Sequence, residues 1–403
     1  MTLVIEPESL AEDLTRRPHS AAGRQRKHRL PPVTGRPKVV LALQGGGALG
    51  AYHIGAYAAL AEAGFEPDWI TGISIGAVNA AILAGNPPGR RLEQLERFWN
   101  LIAWPDILGV SLDGSARRLL NTASHLQALC FGQPRFFVPR TAHPYLAVAG
   151  TVGATSFYDP AQLATTLAEC LDFDLLNTSP VRVSLGATHV TSGSLVFFDN
   201  RRQRLEPEHV LASGALPPAF PAVRIDGELY WDGGCVANTP LQAVLSDPMA
   251  PAMLVFALDL WGADGAEPQT LDDVLWRQKQ IQYASRTVAE IANSVQLYNM
   301  RRMISDAVER LPDAARSDLP QTNLAPGRID VVHLVYQPGP DEIAQSDAEF
   351  SRPSLAERRA AGYAEMQRVL EAAPWADTTP PAHTAATIYH VERGRISSET
   401  PGV

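Results

Sequence analysis

The chain has 403 residues, 45% of them apolar and 19% charged, and a net charge of −9. This balance suits a globular protein with a sizeable core and excludes a generic nucleic-acid binder, which needs a basic excess. Three widely spaced cysteines, Cys130, Cys170 and Cys235, fit neither a disulfide framework nor a zinc pattern and read as buried or incidental thiols in a reducing compartment. No run approaches the roughly 18 to 20 apolar residues of a membrane span, and no apolar stretch at the N-terminus resembles a secretory signal, so a cytoplasmic protein is expected.

In chain order, residues 1–37 come first as a basic tail. Eight Lys/Arg and no carboxylate lie between Arg16 and Lys38, and little there is apolar. Such a segment does not offset its own ordering entropy and is expected to be solvated. The alternative is an arm that draws the protein peripherally to anionic lipid headgroups. Val39 to Leu43 then reads as a strand buried on both faces. An alanine-rich helix from Ala48 to Ala63 stops at Gly64. A second strand, Trp69 to Gly72, leads to a helix from Ala77 to Ala84. Helices at Leu92–Ala103 and Arg117–Ala128 form an insertion of about 90–140 that carries Phe98, Trp99, Trp104, Phe131, Phe136 and Phe137. These aromatics either pack the insertion onto the core or wall an acyl pocket as a lid.

Further strands are expected at Val181–Ala187, Ser194–Phe198, Met253–Leu260 and Ile329–Tyr336. A long helical stretch runs from Leu271 to about Leu311, broken at most once. A last helix starts at Ser354, with Glu357 completing a capping box. Beyond residue 376 the run Asp377-Thr378-Thr379-Pro380-Pro381 marks a flexible tail. Alternation of strands and helices predicts a three-layer α/β/α fold with a mostly parallel central sheet.

Two glycine-rich turns lie less than thirty residues apart. Gly45-Gly46-Gly47-Ala48-Leu49-Gly50 and Gly72-Ile73-Ser74-Ile75-Gly76 each close a strand and open a helix. The second has the spacing of a nucleophile turn, in which a serine hydroxyl stands exposed at the sheet edge and flanking glycines relieve crowding. The first lacks the Lys-Ser/Thr of a phosphate loop, since Ala51-Tyr52 follows. It does match a dinucleotide spacing through Gly45, Gly47 and Gly50. That fold wants an acid at the end of the second strand, and here Glu66 and Asp68 precede the strand. Three consecutive glycines better suit backbone N–H groups that converge on an oxyanion. Ten histidines offer few bases: His53 lies within a helix, and His189 and His333 lie in or beside strands. The third element is Leu229-Tyr230-Trp231-Asp232-Gly233-Gly234, a strand end followed by an acid and two glycines. Asp-Gly is common in tight turns, and it equally suits a carboxylate aimed at Ser74.

Together these motifs resemble the patatin-like phospholipases, serine lipid acyl hydrolases with a Ser–Asp dyad and no histidine. The resemblance covers roughly residues 38–262. It includes Ala212-Ser213-Gly214-Ala215-Leu216-Pro217 and Phe220-Pro221 ahead of the Asp-Gly-Gly strand. It implies Ser74 as nucleophile, Asp232 as base, and an oxyanion hole from Gly45, Gly46, Gly47 and Ala48, supported by Gly50, Gly72, Gly76, Gly233 and Gly234. It requires no metal and no cofactor. An Arg or Lys often sits in the family's glycine loop, where this chain has Ala48. Residues 263–375, a helical extension with one added strand, look like an addition carried by one bacterial branch and have no activity assigned by the resemblance. The expected substrate is a lipid or other acyl ester. Rival readings are an esterase on a non-lipid or polyester substrate and a non-catalytic scaffold. Nothing in the sequence sets the oligomeric state.

Overall fold

The computed structural model describes residues 36–105, 114–245, 252–312, 315, 327–339, 341–376, 384–392 and 394–400. The basic segment before Arg36 lies outside them. At its end Arg36 makes a two-pronged ion pair with Asp68, at 2.9 and 3.1 Å. Asp68 also accepts from Val39 N–H at 2.8 Å, so this acid pins the start of the first strand.

Ten strands form one sheet. Its centre is β1 (Lys38–Leu43), β2 (Trp69–Ile73) and the edges that flank them. A separate two-residue pair, β3 (Val138–Pro139) and β4 (Tyr158–Asp159), stands apart. The main sheet continues with β5 (Arg182–His189), β6 (Leu195–Asp199), β7 (Val223–Ile225), β8 (Glu228–Asp232), β9 (Met253–Asp259), β10 (Ile329–Val335), β11 (Ala386–Glu392) and β12 (Arg395–Glu399). The spatial order is β12-β11-β10-β9-β1-β2-β5-β8-β7, with β6 also on β5. The pairs from β11 to β5 are parallel, and β6, β7, β8 and β12 add antiparallel pairs at the margins.

The central strands are apolar on both faces because helices cover both. Val39, Leu41 and Leu43 of β1 face a core shared with α1 (Tyr52–Glu62), α2 (Ile75–Ala84), α3 (Pro88–Ile102) and α10 (Arg352–Ala372). Val40 and Ala42 face a second core with α8 (Leu241–Leu245) and the 39-residue α9 (Leu271–Glu309). The expected three layers are therefore present. The remaining helices are α4 (Gly114–Phe131), α5 (Ala161–Cys170), α6 (Phe173–Thr178) and α7 (Pro207–Ser213). No helix among the described residues is long and apolar enough to cross a membrane.

Two expectations need correction, and a third, of a long helical stretch with at most one break, is met: α9 is one continuous helix. It starts at a reciprocal cap in which Thr270 Oγ1 accepts from Asp273 N–H and Asp273 accepts from Thr270 N–H, at 3.1 and 2.9 Å. The last helix is capped by Ser351, not Ser354. Pro353 sits in its first turn, where a missing N–H has no intrahelical partner to lose. Glu357 instead meets Arg117 of α4 at 3.2 Å. The flexible tail expected from residue 376 also fails: β11 and β12 lie within it. Ile388, Tyr389 and Val391 are buried beside β10. Asn299 of α9 accepts from the N–H groups of Ala385 and Ala386 at 2.9 and 2.8 Å, which fixes where β11 begins.

The C-terminal region is thus built into the sheet, and α10 crosses α1 at close range. A Cβ on Gly362 would stand 2.1 Å from Tyr52 O, and one on Gly55 would stand 1.8 Å from Arg359 O. Tyr52 and Glu365 close the crossing with a 2.6 Å hydrogen bond. Overpacking a tight core typically costs about 1–3 kcal/mol. Gly362→Ala is therefore expected to lower the thermal midpoint by several degrees in a calorimetric scan. Gly89→Ala, with nothing within 4 Å of the added methyl, is expected to leave it unchanged or slightly raised.

Candidate active site

The carboxyl ends of β1 and β2 lie side by side, and each feeds a glycine turn. After β2, Ser74 adopts φ 56°, a left-handed conformation unusual for a side-chain-bearing residue. Its N–H is held by Ser213 at the end of α7, through O at 3.1 Å and Oγ at 3.0 Å. Ser213 Oγ in turn donates to Gly186 O of β5 at 2.6 Å. Ser74 then caps α2, whose N-terminal dipole favours negative charge at this point. Gly76 permits the turn to close: a Cβ there would stand 2.2 Å from Leu43 O.

Register brings Asp232 to the same place. Ile73 pairs with Gly186 across β2 and β5, and Ala187 pairs with Asp232 across β5 and β8. Ser74 and Asp232 therefore reach toward each other across one intervening strand. Asp232 is 1% exposed. Its Oδ1 accepts from Gly234 N–H at 2.7 Å, and its backbone N–H donates to Ala215 O at 3.0 Å. Its Oδ2 has no hydrogen-bond partner among the described residues. Burial drives the Asp232 pKa up to about 7, against the smaller opposing pull of the Ser74 hydroxyl and the Gly234 N–H. The Ser74 contact favours the carboxylate yet falls short of hydrogen-bond geometry, which leaves Oδ2 unpaired.

The first glycine turn arches over this pair. A Cβ on Gly45 would stand 2.9 Å from Ser74 Cβ, so only glycine fits. Gly45 N–H is already donated to Asn238 O at 3.3 Å, which removes it from the four oxyanion donors expected. Its carbonyl is held by Asn238 Nδ2 at 2.8 Å and Trp261 Nε1 at 3.0 Å. The N–H groups of Gly46 and Gly47 have no acceptor among the described residues, as befits the first turn of the short 3-10 segment Gly47–Ala51 that precedes α1. Gly45, Gly46 and Gly47 line the cavity; Ala48 does not. Gln44 holds the loop's base, accepting from the N–H groups of Leu260 and Trp261 at 2.6 and 3.1 Å. Ser213, Asn238, Gln44 and Trp261 carry no motif of their own. Only Ser213, inside the Ala212–Pro217 run, had a sequence signal.

These groups open into a cavity of about 310 Å³. Its walls are mostly apolar and include Phe136, Phe137, Tyr158, Phe220 and Phe350. The rings of Phe136, Phe137 and Phe220 contact one another edge-on or tilted, with centroids 5.3 to 6.5 Å apart. The aromatics of the insertion thus divide by role. Phe98 and Trp99 are core, Phe136 and Phe137 are cavity wall, and Phe131 is 69% exposed. The thiols divide too: Cys170 is buried, whereas Cys130 and Cys235 are free and exposed, so both parts of the expectation, buried or incidental, occur.

His125 of α4 lines the cavity, whereas the three histidines weighed from the sequence lie elsewhere. His53 is buried behind the glycine turn and 3.2 Å from Asn79 Nδ2, and burial drives its pKa down to about 3. His333 is mid-strand and 2.8 Å from Asp259. His189, the last residue of β5, meets Glu228 and Ser192. None of the three lines the cavity.

The C-terminal region roofs the site. Asp347 O packs on Gly47, 2.1 Å from where a Cβ would stand. The covering segment is anchored by fully buried Arg358, which donates to both Glu342 oxygens at 3.0 and 2.8 Å and to Glu349 O at 2.9 Å. Burial alone would raise the Glu342 pKa, but Arg358 outweighs it and holds the group below its usual value.

A sharp strand-to-helix turn bearing a serine, a buried carboxyl one strand away and a glycine arch thus meet in one cavity of an α/β/α sheet. The sequence model of the family described as patatin-like phospholipase matches residues 41–245, and a second, described as patatin phospholipase, matches residues 281–382. The chain belongs to the patatin-like phospholipase family. An uncharacterised NTE family protein of Mycobacterium bovis, and its counterpart in Mycobacterium tuberculosis, are each 25% identical over 254 residues. The match covers 62% of this chain and 57% of those relatives' length. Among solved structures, VipD from Legionella pneumophila is 16% identical, covers 83% of this chain and 67% of its own, and has a TM-score of 0.38. The type III effector ExoU, known from Pseudomonas aeruginosa, is 15% identical, covers 83% and 53%, and has a TM-score of 0.32.

The raised Asp232 pKa also bears on stability. Its folded value, about 7, lies above its ordinary 3.8, so folding favours the protonated form. That group therefore costs stability as pH rises from about 4 to 7, fully so above 7 and not at all below about 4. Asp232→Asn keeps an acceptor for Gly234 N–H without the charge. Its thermal midpoint is expected to exceed wild type at pH 8, with the gain shrinking at pH 5.

Proposed function

We propose that the chain is a carboxylic ester hydrolase acting on lipid acyl esters, with Ser74 as nucleophile and Asp232 as its base. The observation that carries this reading is the unpaired Oδ2 of a fully buried Asp232, in one cavity with a serine held in a left-handed turn. A buried acceptor without a donor is costly, about 1–3 kcal/mol or more, and persists where it has a task.

Ser74 Oγ attacks the ester carbonyl while Asp232 Oδ2 takes the hydroxyl proton. The N–H groups of Gly46 and Gly47 receive the developing oxyanion. Collapse of the tetrahedral adduct expels the alcohol, which takes the proton from Asp232 and leaves an acyl-Ser74. Water then attacks the acyl-enzyme, Asp232 again accepting the proton, and the acid departs as Ser74 recovers it. A carboxylate near pH 4 is a weak base for a hydroxyl; one raised to about 7 is matched to its work near neutrality. The aromatic walls suit an acyl chain, and that apolar surface is the support for a lipid over a small polar ester.

A fluorophosphonate probe is expected to label wild type and not Ser74→Ala, and Ser74→Ala is expected to lose hydrolysis of p-nitrophenyl esters. Unchanged turnover in Ser74→Ala ends this mechanism. Because Asp232 works as the carboxylate, kcat/KM should rise with pH and level off above about 7. A fatty-acid release assay on phospholipid vesicles divides lipid from non-lipid substrates. In a chain-length series, Phe137→Ala is expected to lower kcat/KM for C8 and C16 esters about tenfold while changing acetate less than twofold, since lost aromatic wall weakens only long chains.

A further inference from the structure

Tyr283 lines the cavity with Ser74 and Asp232, yet no step above uses its hydroxyl. It comes from α9, in the C-terminal region, outside every motif of the glycine turns. Its ring lies 5.2 Å from that of Trp261, tilted by 38°, and Trp276 braces Trp261 at 5.3 Å. Trp261 is fixed to the glycine arch: its Nε1 donates to Gly45 O, and lies 3.1 Å from where a Gly46 Cβ would stand. Tyr283 is thus clamped one ring away from Gly46. Asp347, whose carbonyl packs on Gly47, closes the site on the same side. Tyr283 OH has no hydrogen-bond partner among the described residues. Burial first, then the neighbouring charges of Asp232, Asp347 and Cys235, push the phenol up to about 12, so it keeps its proton through the working range. Those neighbours span both halves of the site, the Asp-Gly-Gly turn and the cover over Gly47.

We propose that Tyr283 is a catalytic hydrogen-bond donor of this site, its O–H bonding the substrate carbonyl oxygen as that oxygen becomes an oxyanion, beside Gly46 and Gly47 N–H. The proposal rests on the acyl-hydrolase reading above. No proton is transferred: Tyr283 keeps its hydrogen throughout, and the Ser74 proton still goes to Asp232. A neutral donor has a physical advantage here. The glycine loop carries Ala48 in place of a cation, and a cation this near Asp232 would pull its pKa down and weaken it as a base. A phenol adds a dipole to the oxyanion without that cost. It also gives the C-terminal region a chemical part in the reaction.

Tyr283→Phe keeps the ring on Trp261 and removes only the donor. One lost oxyanion donor typically costs about 10²–10³ in kcat, and with two backbone donors left a fall of about 10- to 100-fold is expected, with KM within twofold. The fluorophosphonate probe should still label Ser74 in this variant, and the pH inflection from Asp232 should stay near 7. A kcat within twofold of wild type, or a change confined to KM, overturns the proposal. A second variant guards against a folding defect: trifluorotyrosine at position 283 has nearly the same shape but a more acidic phenol. Activity is then expected to gain a new fall on the alkaline side, because a phenolate has no hydrogen to donate. An alkaline limb identical to wild type overturns the role. If wild type neither takes the probe nor cleaves esters, the acyl-hydrolase reading fails first, and the Tyr283 result is distinguishable from that.

Discussion

A carboxyl group kept out of water beside a serine in a left-handed turn is the constraint around which the molecule is arranged. Neither feature is comfortable alone. Asp232 would be more stable in solvent, and Ser74 would be more stable at negative φ. Both are over-determined by their surroundings. Ser213 bonds the Ser74 N–H and reaches Gly186, so α7 and β5 together hold the turn. Gly234 and Ala215 hold Asp232 on its other sides. Parallel pairing of β1 with β2 fixes the glycine arch above them.

The second half of the chain completes this arrangement. β10 and β11 extend the same sheet, and the Gly55–Gly362 crossing seats α10 on α1. From that seat, Arg358 grips Glu342 and the carbonyl of Glu349 and so holds the covering segment over Gly47. An ion pair this buried is weak evidence for stability, since desolvation offsets much of its attraction. It does specify geometry, and removing Arg358 would leave the Glu342 carboxylate without its cation, though still bonded by the Tyr336 hydroxyl. The site is therefore composite: the glycine turns and Asp232 come from the first part, and the roof and Tyr283 come from the second.

Much of this was legible in the residues. The central strands announce themselves as short apolar runs because both of their faces are buried. Gly72–Gly76 and Asp232–Gly234 are legible because a sharp strand-end turn admits few residue types. The errors share a cause as well. The Asp377–Pro381 signal lies outside the described residues, and it says nothing of the strand that follows, whose burial depends on β10 and Asn299. Ser354 looked like a cap because Glu357 follows three residues on, but the helix starts one turn earlier at Ser351, since its first turn tolerates Pro353. The residues alone leave open whether each cysteine is buried or incidental, and the exposure of Cys130 and Cys235 depends on which face of α4 and of the Asp232 turn meets solvent.

What the sequence determined by itself was the local chemistry: a serine and an aspartate at strand ends, glycines where backbone must approach backbone, and a fold class set by periodicity. Those follow from short-range sterics and hydrogen bonding, which depend on neighbours along the chain. Only the tertiary structure decided that Asp232 is desolvated, that Gly45 is already committed to Asn238 while Gly46 and Gly47 are not, and that α9 brings a tyrosine into the cavity. Each of these depends on contacts between segments far apart in sequence. Burial, and with it the pKa of a base, is a property of everything packed around a group, which no stretch of neighbouring residues specifies.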